Sequence, residues 1–136
     1  MTSKDGEEMR KAIGRYPIDM AIADDNVKRA HEHGVLLVTG SDAGNFLVIH
    51  GPTVQHELEL WVKAGIPPAV ALQAATLNAA RLLRADQHIG SVRVGNDADL
   101  LVVDGNPLED ISAAGRISIV VFKGERIDRT TLFEQQ

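Results

Sequence analysis

Asp42 lies in the stretch VLLVTGSDAGN, where four apolar residues lead into a polar turn flanked by Gly40 and Gly44. Three kinds of chemistry fit such a residue. As a turn former, its side chain accepts bonds from nearby backbone amides. As a carboxylate at the end of a strand that faces a cleft, it ligates a metal ion or acts as general base toward a metal-acidified water. As the centre of the G-x-D-x-G turn GSDAG, it has the form of a nucleophile elbow, where α/β hydrolases more often place serine. The elbow needs a helix immediately after the turn, and the next clear helical pattern opens only near Thr53.

Four histidines and a glutamate compete for attention. His31-Glu32-His33 has a zinc-ligand spacing if it lies on a strand, where i and i+2 share a face. The residues around it read as a helix, on which the two rings point about 200° apart, so they suit the cationic end of a helix dipole instead. His50 lies in the glycine loop after Asp42, and His56 and Glu57 lie in the first turn of the next helix. Both fall off the apolar stripe Val54, Leu58, Trp61 and Val62, so they can face a cleft or simply solvent. His88 carries no pattern, and Trp61 belongs to the stripe and reads as core.

These residues need elements to position them. Residues 1–19 are polar and end near Tyr16-Pro17, as an arm would. Asp24 or Asp25 is expected to cap a helix through His33, which Gly34 ends. Val35–Thr39 is apolar without alternation, the pattern of a strand covered on both faces. A long glycine-bearing loop, Gly40–Pro52, leads to the helix from Thr53, which Gly65 and Pro67-Pro68 stop. Further helices are predicted from about Pro68 to Ala75 and, with Thr76 as cap, to Arg84. After Gly90 the pattern turns to β: SVRV, a Gly95-Asn96 turn, ADLLVVD, and a hairpin ISIVVF-KG-ERI.

Composition excludes several classes of function. The chain has 136 residues, net charge −5 and no cysteine. That balance favours neither nucleic acid nor an anionic membrane as partner, and it rules out disulfides and thiolate metal sites. The opening residues contain no apolar signal core, and no run approaches the ~18 apolar residues of a membrane span. A soluble, cytoplasmic protein is the expectation.

Five stretches, in order, resemble the C-terminal part of amidohydrolase-superfamily enzymes: GVLLVTGSDAG, HELELWVKAG, AATLNAARLL, GSVRVGNDADLLVVDGNPLEDI and VVFKGERI. The likeness covers roughly residues 25–128 and is greatest to the imidazolonepropionase-like branch, which includes zinc-dependent Xaa-Pro and Xaa-Arg dipeptidases. It implies an α/β fold: a distorted (β/α)8 barrel with one or two divalent metals, most often zinc, at its strand ends, plus a small β-sandwich. By that likeness Val35–Ser41 is the eighth barrel strand, and Asp42 matches the aspartate that ligates the metal and carries the proton to the leaving group. Ser41 stands where the family more often has threonine.

The resemblance also implies what lies elsewhere. The family's other ligands, histidines on the first, fifth and sixth strands and a carboxylated lysine or glutamate on the fourth, have no match here. The expectation is a C-terminal fragment of a hydrolase of amide or ester bonds, with small-molecule amide, ester or dipeptide substrates. Its parts would be a lead-in arm (1–24), a terminal barrel βα segment (25–88), sandwich strands (89–130) and a tail (131–136). The alternatives are a repacked α+β domain and a non-catalytic, self-associating module that binds no metal. Bare strand edges at Val35–Thr39 and in 91–103 and 117–128 further predict a homo-oligomer, most simply a two-fold dimer.

Overall fold

The carboxylate of Asp19 accepts the amide of Ala21 at 3.0 Å and starts helix α1, Met20–Glu32. The computed structural model describes residues 19–44, 51–128 and 130; most of the lead-in arm and the tail lie outside them. Asp24 and Asp25, the expected caps, are inside α1, four and five positions past its start at Met20. Asp19 takes the role because its extended backbone presents the side chain to the first free amides, which a helical residue cannot do. The division between arm and barrel segment at residue 24 thus falls within this helix.

Gly34 ends α1 in the left-handed region (φ 72°), with its amide on His31 and the Val35 amide on the Ala30 carbonyl. The same closure ends α2 (Thr53–Lys63) at Gly65 and α4 (Leu77–Leu82) at Arg84. Between them, α3 (Pro68–Ala75) opens on a proline whose missing amide costs the first turn nothing. Thr76 occupies the position before α4 but does not cap it. Its hydroxyl donates backward to the Leu72 carbonyl at 2.7 Å.

The core forms where α2 and α3 meet. Leu58, Ile66 and Ala71 are buried, and Val27 of α1, Leu37, Trp61, Val62 and Val70 pack on them. Trp61 is therefore core, as its place in the stripe requires. Val35–Thr39 joins no β-ladder among the described residues. The predicted strand has no neighbour to pair with, and Val35 and Leu36 stay more than half exposed. Side chains and carbonyls of the helices hold the segment instead.

Gly90 makes the crossing from helices to sheet. Its φ is +87°, and a Cβ there would lie 2.6 Å from that of Ala80, so glycine alone fits. SVRV pairs with nothing among the described residues, and Val92 and Val94 are exposed. Alternation alone could not supply a partner for it. A turn does form there, one residue earlier than expected: the Asn96 amide donates to the Arg93 carbonyl, with Val94-Gly95 at its centre, while the Asp97 amide goes to the His88 carbonyl.

The sheet is antiparallel, in the order β1 (Leu100–Val103), β2 (Ile117–Phe122), β3 (Glu125–Ile127). Leu101 faces Val120 and Val102 faces Ile119, then Ser118 bulges out and Val103 faces Ile117. Lys123 and Gly124 both have positive φ, the geometry of a two-residue hairpin turn.

The stretch DGNPLEDI between β1 and β2 is tied together by Arg116. Its guanidinium donates to the Asp104 carbonyl and to Asp110, and Asp110 caps the 3-10 helix Ile111–Gly115. Ile111 and Ala114 of that helix pack against the core around Leu58. The four α-helices described precede the strands, so the described residues have mixed helix and strand content, with no parallel pair among them.

Candidate functional site

The segment that leads to Asp42 is anchored at three points. Asn78 on α4 donates its side-chain amide to the Leu37 carbonyl at 2.9 Å. The Thr39 amide reaches the Ala74 carbonyl, at the end of α3, at 3.5 Å. The Gly40 amide donates to both carboxylate oxygens of Glu57 on α2, at 3.1 and 3.3 Å. Three helices thus hold a segment that no strand holds.

Beyond Gly40 the chain turns. Asp42 has φ 50° and is exposed, and Gly44 follows at φ 96°. A positive φ is uncommon outside glycine but several-fold enriched in aspartate, whose short polar side chain tolerates it. Asp42 is therefore an exposed residue at the head of an anchored segment. The next described helix begins at Thr53, nine residues beyond Gly44.

Glu57 is half-buried against this turn. Burial pushes its carboxyl above the ordinary 4.5, and the Gly40 bond pulls the other way without cancelling it. His56 points to solvent beside Glu59, with Nδ1 3.5 Å from its carboxylate. His50 lies outside the described residues. His31 and His33 sit in the last turn and at the C-cap of α1, and His33 Nδ1 is 2.9 Å from the Arg29 carbonyl. They occupy the helix end that suits cationic side chains.

Among the described residues, no group of three or more His, Cys, Asp or Glu side chains gathers closely enough to hold a metal ion. Asp42 offers one hard oxygen donor and Glu57 is turned to a backbone amide, so the described side chains do not by themselves make a metal site. A groove of about 690 Å³ opens between α3, α4 and the sheet, lined by Leu72, Ala79, Leu83, Ile89, Leu101 and Val103. It is largely apolar, and neither Asp42, Glu57 nor His56 lines it.

Asn78 is the positioning residue that sequence patterns did not single out. Ala71, Ala74 and Asn78 are all buried at i, i+3 and i+7. A lone amide in that buried row marks a backbone group that needs a partner.

The amidohydrolase family model matches residues 9–127. An imidazolonepropionase from Geobacillus sp. (strain WCH70) is 29% identical over 128 residues, spanning 73% of this chain and 30% of its own length. An adenine deaminase from Mesorhizobium japonicum is 30% identical over 99 residues, 65% of this chain and 16% of its own. The crystal structure of a Xaa-Pro dipeptidase with methionine bound in its active site superposes with a TM-score of 0.71 at 37% identity. That match covers 77% of this chain and 25% of the other. This chain thus spans under a third of each of these relatives. The family match over most of its length is nonetheless direct: this chain belongs to the amidohydrolase family.

Proposed function

We propose that the chain serves a metal-dependent hydrolase of amide C–N bonds, peptide-like or cyclic, in which Asp42 is one metal ligand and the proton carrier. The supporting observation is the exposed Asp42 at the head of a segment anchored by α2, α3 and α4. The names of the relatives point the same way: a deaminase, an imidazolonepropionase and a dipeptidase all break C–N bonds. Val35–Ser41 is then the eighth strand of a barrel whose other strands and ligands lie outside the described residues. Zinc, when bound, would lower the pKa of water to ~7. Asp42 would accept a proton and hand it to the departing nitrogen. Glu57 and His56 of α2 and, outside the described residues, His50 are the proposed substrate or supporting groups.

A second reading, a self-associating module without catalysis, is favoured by the exposure of Val35, Leu36, Leu82, Leu83 and Leu101. Metal content after dialysis separates the two. About one zinc or manganese per chain supports the hydrolase, and its absence supports the module. Under either reading we infer a homo-oligomer, with a second copy covering these side chains and the free edge of β1.

A further inference from the structure

We propose that Glu57 is a positioning residue: it grips the Gly40 amide with both carboxylate oxygens and thereby sets the turn that carries Asp42. The proposal deepens the hydrolase reading and rests on it for the role of Asp42. Glu57 lies on α2, away from Asp42 in sequence, yet its oxygens are 3.1 and 3.3 Å from an amide two residues before Asp42. One N–H shared between two oxygens is a bifurcated bond, which holds the donor centred rather than to one side. The amide of Gly40 has no ladder partner among the described residues, so this carboxylate takes the place of a strand's carbonyl.

The strain of the turn gives the grip its purpose. Asp42 has φ 50°, a sparsely populated conformation that aspartate tolerates but does not favour, so surrounding contacts help decide whether it is kept. Upstream, Leu37 is already pinned by Asn78 and Thr39 by the α3 terminus. Gly40 is the last anchored residue before the turn. Its own side offers no steric help: a Cβ placed on Gly40 meets nothing within 4 Å. Orientation at this point therefore comes from the Glu57 bond. A full-length side chain is required, because an aspartate at this position would fall one methylene short of the Gly40 amide, which Glu57 reaches at 3.1 and 3.3 Å.

Amide hydrogen exchange on the whole chain tests the grip, with Glu57→Ala, Glu57→Gln and Glu57→Asp beside wild type. Exchange at Gly40 should rise about ten-fold in Glu57→Ala, the factor expected for losing one hydrogen bond. It should rise similarly in Glu57→Asp and stay within about three-fold in Glu57→Gln, whose amide oxygen still accepts. The three-bond HN–Hα coupling of Asp42, which reports its φ, should shift in Glu57→Ala and Glu57→Asp and hold in Glu57→Gln. A merely packing role for Glu57 would leave that coupling unmoved.

Unchanged Gly40 exchange in Glu57→Asp, or Glu57→Gln as unprotected as Glu57→Asp, overturns the proposal even if Glu57→Ala fails to fold. Added Mn²⁺ tests the other reading separately. Line broadening centred on Asp42 in wild type and lost in Asp42→Asn supports Asp42 as a ligand. Broadening that persists in Asp42→Asn removes that role, while the exchange data still decide the grip.

Discussion

The side-chain amide of Asn78 donates to the backbone carbonyl of Leu37 at 2.9 Å, from a helix to a segment 41 positions earlier. This contact fixes the depth at which the segment leading to Asp42 lies against the helices. Asn78 is buried, and its bond to the half-buried Leu37 is partly shielded from water.

Asn78→Ala should cost about 1–3 kcal/mol, the penalty of leaving a partly buried carbonyl without its donor. The lower end is expected, because the buried Oδ1 atom of Asn78 has no partner among the described residues and its loss is a gain. Urea titration checks it through the midpoint at constant slope. A midpoint equal to wild type would mean that the Leu37 carbonyl finds water.

Asp42→Asn in the complete hydrolase, with all metal ligands present, should lower turnover ~100-fold or more. The fold should survive, because asparagine tolerates positive φ as aspartate does. Steady-state rates together with circular dichroism check both halves. A near-wild-type rate would reduce Asp42 to a turn former.

Arg84 closes α4 at φ 56°, where Gly34 and Gly65 close α1 and α2. Arg84→Gly should stabilise the chain by about 0.5–1 kcal/mol, since glycine adopts the left-handed cap without steric cost. Thermal unfolding checks the sign. A lower melting temperature would show that the side chain contributes more than its backbone strain removes.

Glu57 predicts a pH dependence. Its folded pKa is raised, so the native state binds the proton more tightly than the unfolded chain. The stability linked to it is fully present below the ordinary 4.5 and falls as pH rises through the higher folded value. Asp110 and Asp128 act in the opposite sense. Their pKa values are lowered, chiefly by hydrogen bonds from Ser112 and Thr130, so their contribution holds above 3.8 and fades in more acid solution. Glu57→Gln should therefore flatten the decline above pH 4.5 and leave the acid limb unchanged. Urea midpoints from pH 3 to 7 read both limbs, and parallel curves would contradict the assignment.

Self-association is tested by sedimentation equilibrium at low micromolar concentration. A dimer is expected, because each wet aliphatic side chain forfeits ~1.5–3 kcal/mol and several are exposed together. A monomer of 14.7 kDa that unfolds sharply would overturn it.

Much of this arrangement was legible in the sequence where local chemistry decides it. Gly34, Gly65 and the prolines at 67 and 68 mark ends and starts because φ and the missing amide act within a few residues. The Lys123-Gly124 hairpin is local in the same way. Asp19 was passed over for Asp24 and Asp25 because all three suit a cap, and only backbone geometry distinguishes them. Val35–Thr39 and SVRV looked like strands, but a strand is defined by its neighbour, and the described chain supplies none. For the site, Asp42 and Glu57 were visible as candidates by type, whereas the Gly40 bond between them required three-dimensional proximity.

The 3-10 helix Ile111–Gly115 also ties the sheet to the helices. The β2–β3 hairpin closes through two residues and is a local contact. The connection from β1 to β2 instead seats Ile111 and Ala114 on the core around Leu58, and so closes a far longer stretch of backbone. A substitution in that connection is therefore felt by the helical core as well as by the sheet.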